Sequence, residues 1–268
     1  MSLVAENAKL ALYAALRNPP IRRGYYAFRK KSICRALENS QLSVNSLPGG
    51  YGAGIDERII EYPWLFEQLT DQPGVLLDAG SVLNFDYILD QPKLATKRLF
   101  ISTLAPEPES FNRKGVSYVY EDFRDSCFRD GYFDTIVSVS TLEHIGMDNT
   151  LFYTSDQAKK ENAPDEYLHA LDELRRILKP GGTLLLSLPF GTYANHGWLQ
   201  VFDTCMLDRL IDRFAPSSFE EHHFKYDKFW HVSSRQESRE CGYIDRTKRP
   251  HAAGAVCAEA VVCVRLTT

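Results

Sequence analysis

The chain has 268 residues, 44% hydrophobic and 12% aromatic, enough apolar material for one sizeable core with a small appended region. A formal net charge of −4 gives no general basic field, so nucleic acid is not an expected partner beyond a local patch from Arg22-Arg23 to Lys30-Lys31. Six cysteines (Cys34, Cys127, Cys205, Cys241, Cys257 and Cys263) lie far apart with no C-x-x-C pair, which points to buried thiols in a reducing cytoplasm rather than disulfides or a zinc site.

The N-terminal segment carries Glu6, Asn7 and Lys9 where a signal peptide needs an unbroken apolar run, and no run of about 18 apolar residues occurs anywhere. A soluble, cytoplasmic protein without membrane attachment is expected. Residues 4–17 place Val4, Ala8, Ala11 and Ala15 on a helical stripe that Pro19-Pro20 ends, and a second helix is expected over 23–38. In the N-terminal 70 residues Arg22, Arg23, Tyr25, Tyr26 and Arg29 form either a solvated basic helix face or a cap that binds a cofactor or an anionic part of the acceptor. The stretch 45–54, NSLPGGYGAG, reads as a loop, and Asp56 to Leu69 as a helix whose Tyr62, Trp64 and Phe66 pack on the main domain.

From Val75 the pattern changes to short apolar strands alternating with helices, the mark of a parallel sheet wrapped by helices. Strands are expected at 75–79, 97–102, 116–120, 133–139, 183–188, 225–233 and 257–266. The clearest helix is PDEYLHALDELRRIL, with Pro164 and Asp165 in its first turn, Leu168, Leu171, Leu174 and Leu178 as its stripe and Pro180-Gly-Gly as its end. TLLLSLP after it must be a buried central strand, and the last strand closes the sheet as an antiparallel pair.

The segment VLLDAGSVLNF, residues 75–85, is a buried strand running into a turn suited to a nucleotide or a zwitterion. A dinucleotide turn would read G-x-G-x-x-G, and only Gly80 is present, which disfavours a nicotinamide-dependent enzyme. Asp78 and Gly80 instead match the D-x-G-x-G-x-G turn, with Val82 and Asn84 in place of the later glycines. VSYVYEDFRDSCFRDGYFDTIVSVSTLEHIG, residues 116–146, then ELRRILKPGGTLLLSLP, continue the series.

On these motifs, over about residues 75–190, the chain resembles the class I S-adenosylmethionine-dependent methyltransferases. The resemblance implies a Rossmann-like, doubly wound α/β fold with a seven-stranded sheet, here carrying an N-terminal helical extension: residues 1–70 as a cap or acceptor region and 71–268 as the methyltransferase-like domain. It implies S-adenosyl-L-methionine as cofactor, with Asp78 holding the methionine amino group, Gly80 and Ser81 giving backbone access, Asp122 accepting from the adenine N6 and Phe123 covering the adenine face. Thr103 and Ser140, at the ends of the second and fourth strands, complete the expected cofactor set. The acidic residue usual at the end of strand two is replaced by Ser102 and Thr103, with Glu107 farther along.

Methyl transfer to a hydroxyl needs a base near the transferred methyl. His144 in TLEHIG and His196 in LPFGTYANHGWLQVFD both follow strands at the expected edge, with Asp203 an orienting partner for His196 or the start of the next helix. The second loop, with Tyr193, Asn195, Trp198 and Gln200, suits a polyhydroxylated acceptor, so a sugar, sugar phosphate or glycosylated metabolite is the expected substrate. Residues 146–166 are expected to form a lid, an acceptor wall or a structural excursion. Glu220-Glu221-His222-His223 reads as a solvated strand edge, and no metal is expected. The alternative is a catalytically inactive methyltransferase-fold binding or partner protein; a homodimer is compatible with either.

Overall fold

The computed structural model describes residues 24–245, 247–248 and 256–268; the helix expected over 4–17, with Arg22 and Arg23, lies outside them. Helix α1 spans Tyr25–Glu38 and α2 spans Arg58–Gln68, separated by the expected turns. Strand β1 (Gly74–Ala79) is followed by two one-turn helices, α3 (Asp86–Leu89) and α4 (Pro92–Ala95), then by β2 (Lys97–Thr103), β3 (Ser117–Tyr120) and β4 (Phe133–Val139). Helix α5 (Tyr167–Ile177) runs directly into β5 (Leu178–Pro189), and a two-residue pair, β6 (Ala194–Asn195) and β7 (Gln200–Val201), precedes α6 (Thr204–Phe214). The chain ends with β8 (Ser218–Tyr226), β9 (Trp230–Ser233), α7 (Arg235–Ser238) and β10 (Ala260–Thr267). Among the described residues no helix is long and apolar enough to cross a membrane.

One eight-stranded sheet has the order β3-β2-β1-β4-β5-β10-β8-β9. Its first five strands are parallel neighbours, and β10 pairs antiparallel with both β5 and β8, as expected of the last strand. The expected sixth strand, residues 225–233, is in fact a hairpin corner: β8 begins at Ser218 and turns at Asp227–Phe229 into β9. The first half of β8, Ser-Phe-Glu-Glu, is exposed and polar, so it carries no alternating apolar signal.

Successive residues of each strand serve opposite faces. Leu76, Val137, Leu185, Val261 and Cys263 join Ile59, Ile60, Trp64 and Leu65 of α2 in one core. Leu77, Ile136, Leu184, Leu186, Val262 and Val264 join Tyr167, Leu171 and Leu174 of α5 and Leu207 and Leu210 of α6 in the other. The residues over which α2 runs are therefore one of the two layers that cover the sheet. Pro63 lies inside α2, and its missing backbone donor is offset by burial of every residue from Ile59 to Phe66.

One of those residues is a carboxylate. Glu61, fully buried, accepts from Ser140 Oγ at 2.8 Å and Ser187 Oγ at 2.6 Å, and is paired with Arg58, whose guanidinium also donates to Ser140 Oγ at 2.9 Å. The pair pins α2 onto the carboxyl ends of β4 and β5. Removing one partner of such a pair strands a buried charge, so Glu61→Ala is expected to lower the unfolding free energy by about 3–5 kcal/mol in urea titrations. Glu61→Gln, which still accepts from a serine, is expected to lose less.

Candidate functional site

At the end of β1 the chain must turn under the carboxyl edge of the sheet. Asp78, inaccessible to solvent, accepts from the Val82 N–H at 3.1 Å and the Leu83 N–H at 2.7 Å. Burial drives its carboxyl up to about 7, against the opposing pull of these two donors. Both oxygens thus close the turn, and Asp78 does not line the cavity beyond it. Gly80 has φ +122°, and a Cβ there would stand 2.0 Å from Thr141 Oγ1, so this glycine is demanded by the approach of the β4 end.

Ser81 (φ +69°) and Ser140 (φ +46°) both hold the left-handed conformation that side chains disfavour, and the Ser81 hydroxyl is buried without a partner among the described residues. Asn84 is not the residue with positive φ that its place in the motif suggests. Its amide donates to Glu107 Oε2 at 2.8 Å and the Glu109 carbonyl at 3.1 Å, and its oxygen accepts from Tyr118 OH at 2.7 Å, tying the turn to β3 and to the segment that precedes it. Glu107 is held there and does not line the cavity. The helix after the turn is only Asp86–Leu89, too short to present a dipole.

Above this edge lies a cavity of about 630 Å³, lined by Gly80, Thr103, Glu121, Asp122, Phe123, Ser140, Thr141, His144, Tyr153 and Lys159 among others. Five of the seven residues expected to hold the cofactor are therefore brought together, while Asp78 and Ser81 lie behind the wall. Glu121 was not singled out from the sequence. It accepts from Ser102 Oγ at 2.9 Å and the Cys127 N–H at 2.9 Å, placing a carboxylate beside Thr103 where the end of β2 lacks one.

Asp122 is already engaged. Arg124 reaches it at 2.7 Å and Lys159 at 2.6 Å, and Arg124 also pairs with Glu161 at 2.6 Å and Glu166 at 3.1 Å. These hydrogen bonds hold the Asp122 carboxyl well below the usual range although burial opposes them. Lys159 and Tyr153 bring the insertion over residues 146–166 into the cavity wall.

His144 is half-buried just beyond the edge of β4. Its Nδ1–H donates to the Trp198 carbonyl at 2.8 Å, which leaves Nε2 as the lone-pair nitrogen, 3.4 Å from Tyr153 OH. The desolvation around the ring lowers its pKa to about 4 and keeps it neutral, with the Tyr153 phenol as a donor beside it. A second cavity, of about 550 Å³, shares Ser140, His144 and Tyr153 with the first and extends to Glu57, Arg58, Glu143, Trp198 and Tyr243. The imidazole thus stands in the partition between two chambers.

His196 lies elsewhere. It borders an open hollow with Lys160, Asn162 and Lys248, and its Nδ1 is 3.4 Å from Asp245 Oδ2. Asp203 does not orient it: its Oδ1 accepts from the Met206 N–H at 2.9 Å as the N-cap of α6. Tyr193 of the same loop is exposed. In the acid–histidine run, Glu221 pairs with Arg235 at 2.6 Å and His222 Nδ1 accepts from Trp64 Nε1 at 3.3 Å, while His223 turns inward against Phe190. These residues have structural partners on opposite faces.

The family model described as a methyltransferase domain matches residues 80–186, the stretch that carries most of the motif series. Among solved structures, the chain is similar to the 1,6-didemethyltoxoflavin-N1-methyltransferase of Burkholderia thailandensis, solved with 1,6-didemethyltoxoflavin and S-adenosylhomocysteine (15% identity, 99% of this chain and 87% of that one, TM-score 0.47). It is also similar to the YcgJ protein of Bacillus subtilis (12% identity, 78% and 97%, TM-score 0.48). No curated protein matches the sequence.

The burial of His144 sets a pH signature. Because its folded pKa, about 4, lies below the ordinary 6.5, the unfolded chain takes up a proton that the folded chain refuses. The stability associated with the neutral ring is complete above 6.5 and is lost as pH falls towards 4. Relative to His144→Gln, the wild-type chain is expected to lose about 3 kcal/mol across that window, read from paired urea titrations.

Proposed function

We propose that this chain, whose residues 80–186 match a methyltransferase-domain family model, transfers a methyl group from S-adenosyl-L-methionine to a small-molecule acceptor. The observation that carries the reading is the partition: two chambers meet at Ser140, His144 and Tyr153, one over the carboxyl ends of the parallel strands and one beyond it. That edge is where ligands of doubly wound sheets sit. S-adenosyl-L-methionine supplies an electrophilic methyl on a sulfonium.

The residues of the first chamber fit it. Phe123 offers an aromatic wall for the adenine, Asp122 an acceptor for the adenine amino group, and Thr103 with Glu121 a hydroxyl and a carboxylate for the ribose. The orphaned Ser81 hydroxyl lies in the turn beneath, and the backbone of Gly80 is open to the cavity. Lys159 must leave Asp122, at least in part, for the adenine to use it.

On the acceptor side His144 is the base we assign. Its fixed tautomer aims Nε2 at the partition, so an acceptor hydroxyl hydrogen-bonded there gives up its proton to the ring as its oxygen takes the methyl group. Tyr153 OH, beside the same nitrogen, can donate to that oxygen and position it. O-methylation of a sugar or glycosylated metabolite is the finer form of this proposal, and the polar and aromatic side chains around the second chamber support it.

A second reading has its own observations. Both oxygens of Asp78 are occupied by the turn and Asp122 is saturated by two cations, as in a methyltransferase fold that has ceased to bind its nucleotide. Calorimetric titration with S-adenosylhomocysteine, with NADH as control, separates the two. Micromolar binding of the former alone is expected; absence of binding would leave the non-catalytic reading in the lead.

Two substitutions refine the test. Asp122→Ala is expected to weaken S-adenosylhomocysteine binding about tenfold, the loss of one hydrogen bond to a charged group. His144→Gln should bind S-adenosylhomocysteine as the wild type does while turnover of an identified acceptor falls by about 10²–10⁴. Full turnover in that variant would remove His144 as the base.

A further inference from the structure

The second chamber holds acidic groups that hydroxyl methylation does not use. Glu143 is only 3% exposed, and its Oε2 is buried with no hydrogen-bond partner. Glu57 Oε2 is in the same condition, and both residues line the chamber. Among the described residues Arg58 is the one cationic side chain in that lining, and its guanidinium is already taken by Glu61 and Ser140. The nearby imidazole, His144, is held neutral.

Buried acceptors without donors are costly, and a ligand that supplies donors relieves the cost. We propose that the second chamber takes an acceptor bearing a protonated amine, held by Glu57 and Glu143, beside the hydroxyl presented to His144. This rests on the methyltransferase reading and narrows its substrate class.

An ammonium group offers three donors and no acceptor, the complement of two unpartnered carboxyl oxygens. A neutral polyol would bring acceptors of its own to the same oxygens, and a phosphorylated acceptor would meet like charge. The faces of Trp198 and Tyr243 in the same wall add favourable surface for a cation. Burial raises both carboxyl groups, Glu57 to about 7 and Glu143 well above the ordinary value, so each gains most from a cation that restores its charged form.

The test uses matched probes that differ only in an amine: tyramine against 4-hydroxyphenylethanol, ethanolamine against ethylene glycol, and glucosamine against glucose. Each is titrated calorimetrically into the full-length protein, with and without saturating S-adenosylhomocysteine. The amine member of at least one pair is expected to bind at least tenfold more tightly. Glu143→Gln and Glu57→Gln are each expected to reduce that preference at least fivefold while S-adenosylhomocysteine affinity stays at the wild-type value, which also certifies the fold.

No amine preference in any pair, or a preference that survives both substitutions, overturns the proposal. The arms keep the two failures apart: loss of S-adenosylhomocysteine binding in the wild type strikes the methyltransferase reading, whereas wild-type cofactor binding without amine preference strikes this inference alone.

Discussion

A single buried carboxylate organises the half of this molecule around the second chamber. Glu61 accepts hydrogen bonds from hydroxyls at the ends of two adjacent parallel strands and shares a guanidinium with one of them, so α2 cannot slide or rotate over the sheet without breaking several hydrogen bonds at once. Glu57 and Arg58 stand one turn earlier on the same segment, and both reach the second chamber because Glu61 is anchored. A buried ion pair of this kind contributes little net stability against an apolar equivalent. What it secures is position.

The other half is organised from the opposite side of the partition. Asp78 closes the turn with two backbone N–H groups, and the Asp122–Arg124–Glu161–Glu166 network with Lys159 draws the insertion after β4 down over the cavity. The insertion is thereby a wall of the cavity: it is fastened by charges at Asp122 and contributes Tyr153 to the partition. On the proposed function, a nucleotide that used Asp122 would compete with the ion pair that fastens the insertion.

Much of this was legible in the sequence. The strand alternation that gives Leu76 to one core and Leu77 to the other, the stripe of α5 and the buried run of β5 follow from period and composition. So did the antiparallel closing strand. The polar start of β8 concealed an eighth strand because its residues face water and repeat no pattern. The His196–Asp203 pairing failed because a loop's side chains are placed by long-range contacts: Asp245 arrives from a segment more than forty residues on in the chain, and Asp203 is spent on capping a helix.

Glu61 and Glu57 were missed for a different reason, since α2 was valued for its aromatics. The signal was nevertheless present, as a lone acid inside the run Ile-Ile-Glu-Tyr-Pro-Trp-Leu-Phe, where burial of every neighbour leaves the carboxylate no route to solvent.

The contact between Gly80 and Thr141 bears on how such chains diverge. Glycine is required at 80 because a neighbouring strand end leaves no room for a side chain, a demand that comes from the protein and would persist whatever the nucleotide. Positions 82 and 84 are under no such demand here: one is packed into the core and the other is a hydrogen-bonding hub. The glycines of this turn therefore answer to separate masters, and drift should erase the outer two first. Residue 80 should stay glycine even where residue 141 is small, because its backbone at φ +122° excludes a side chain as firmly as the contact does.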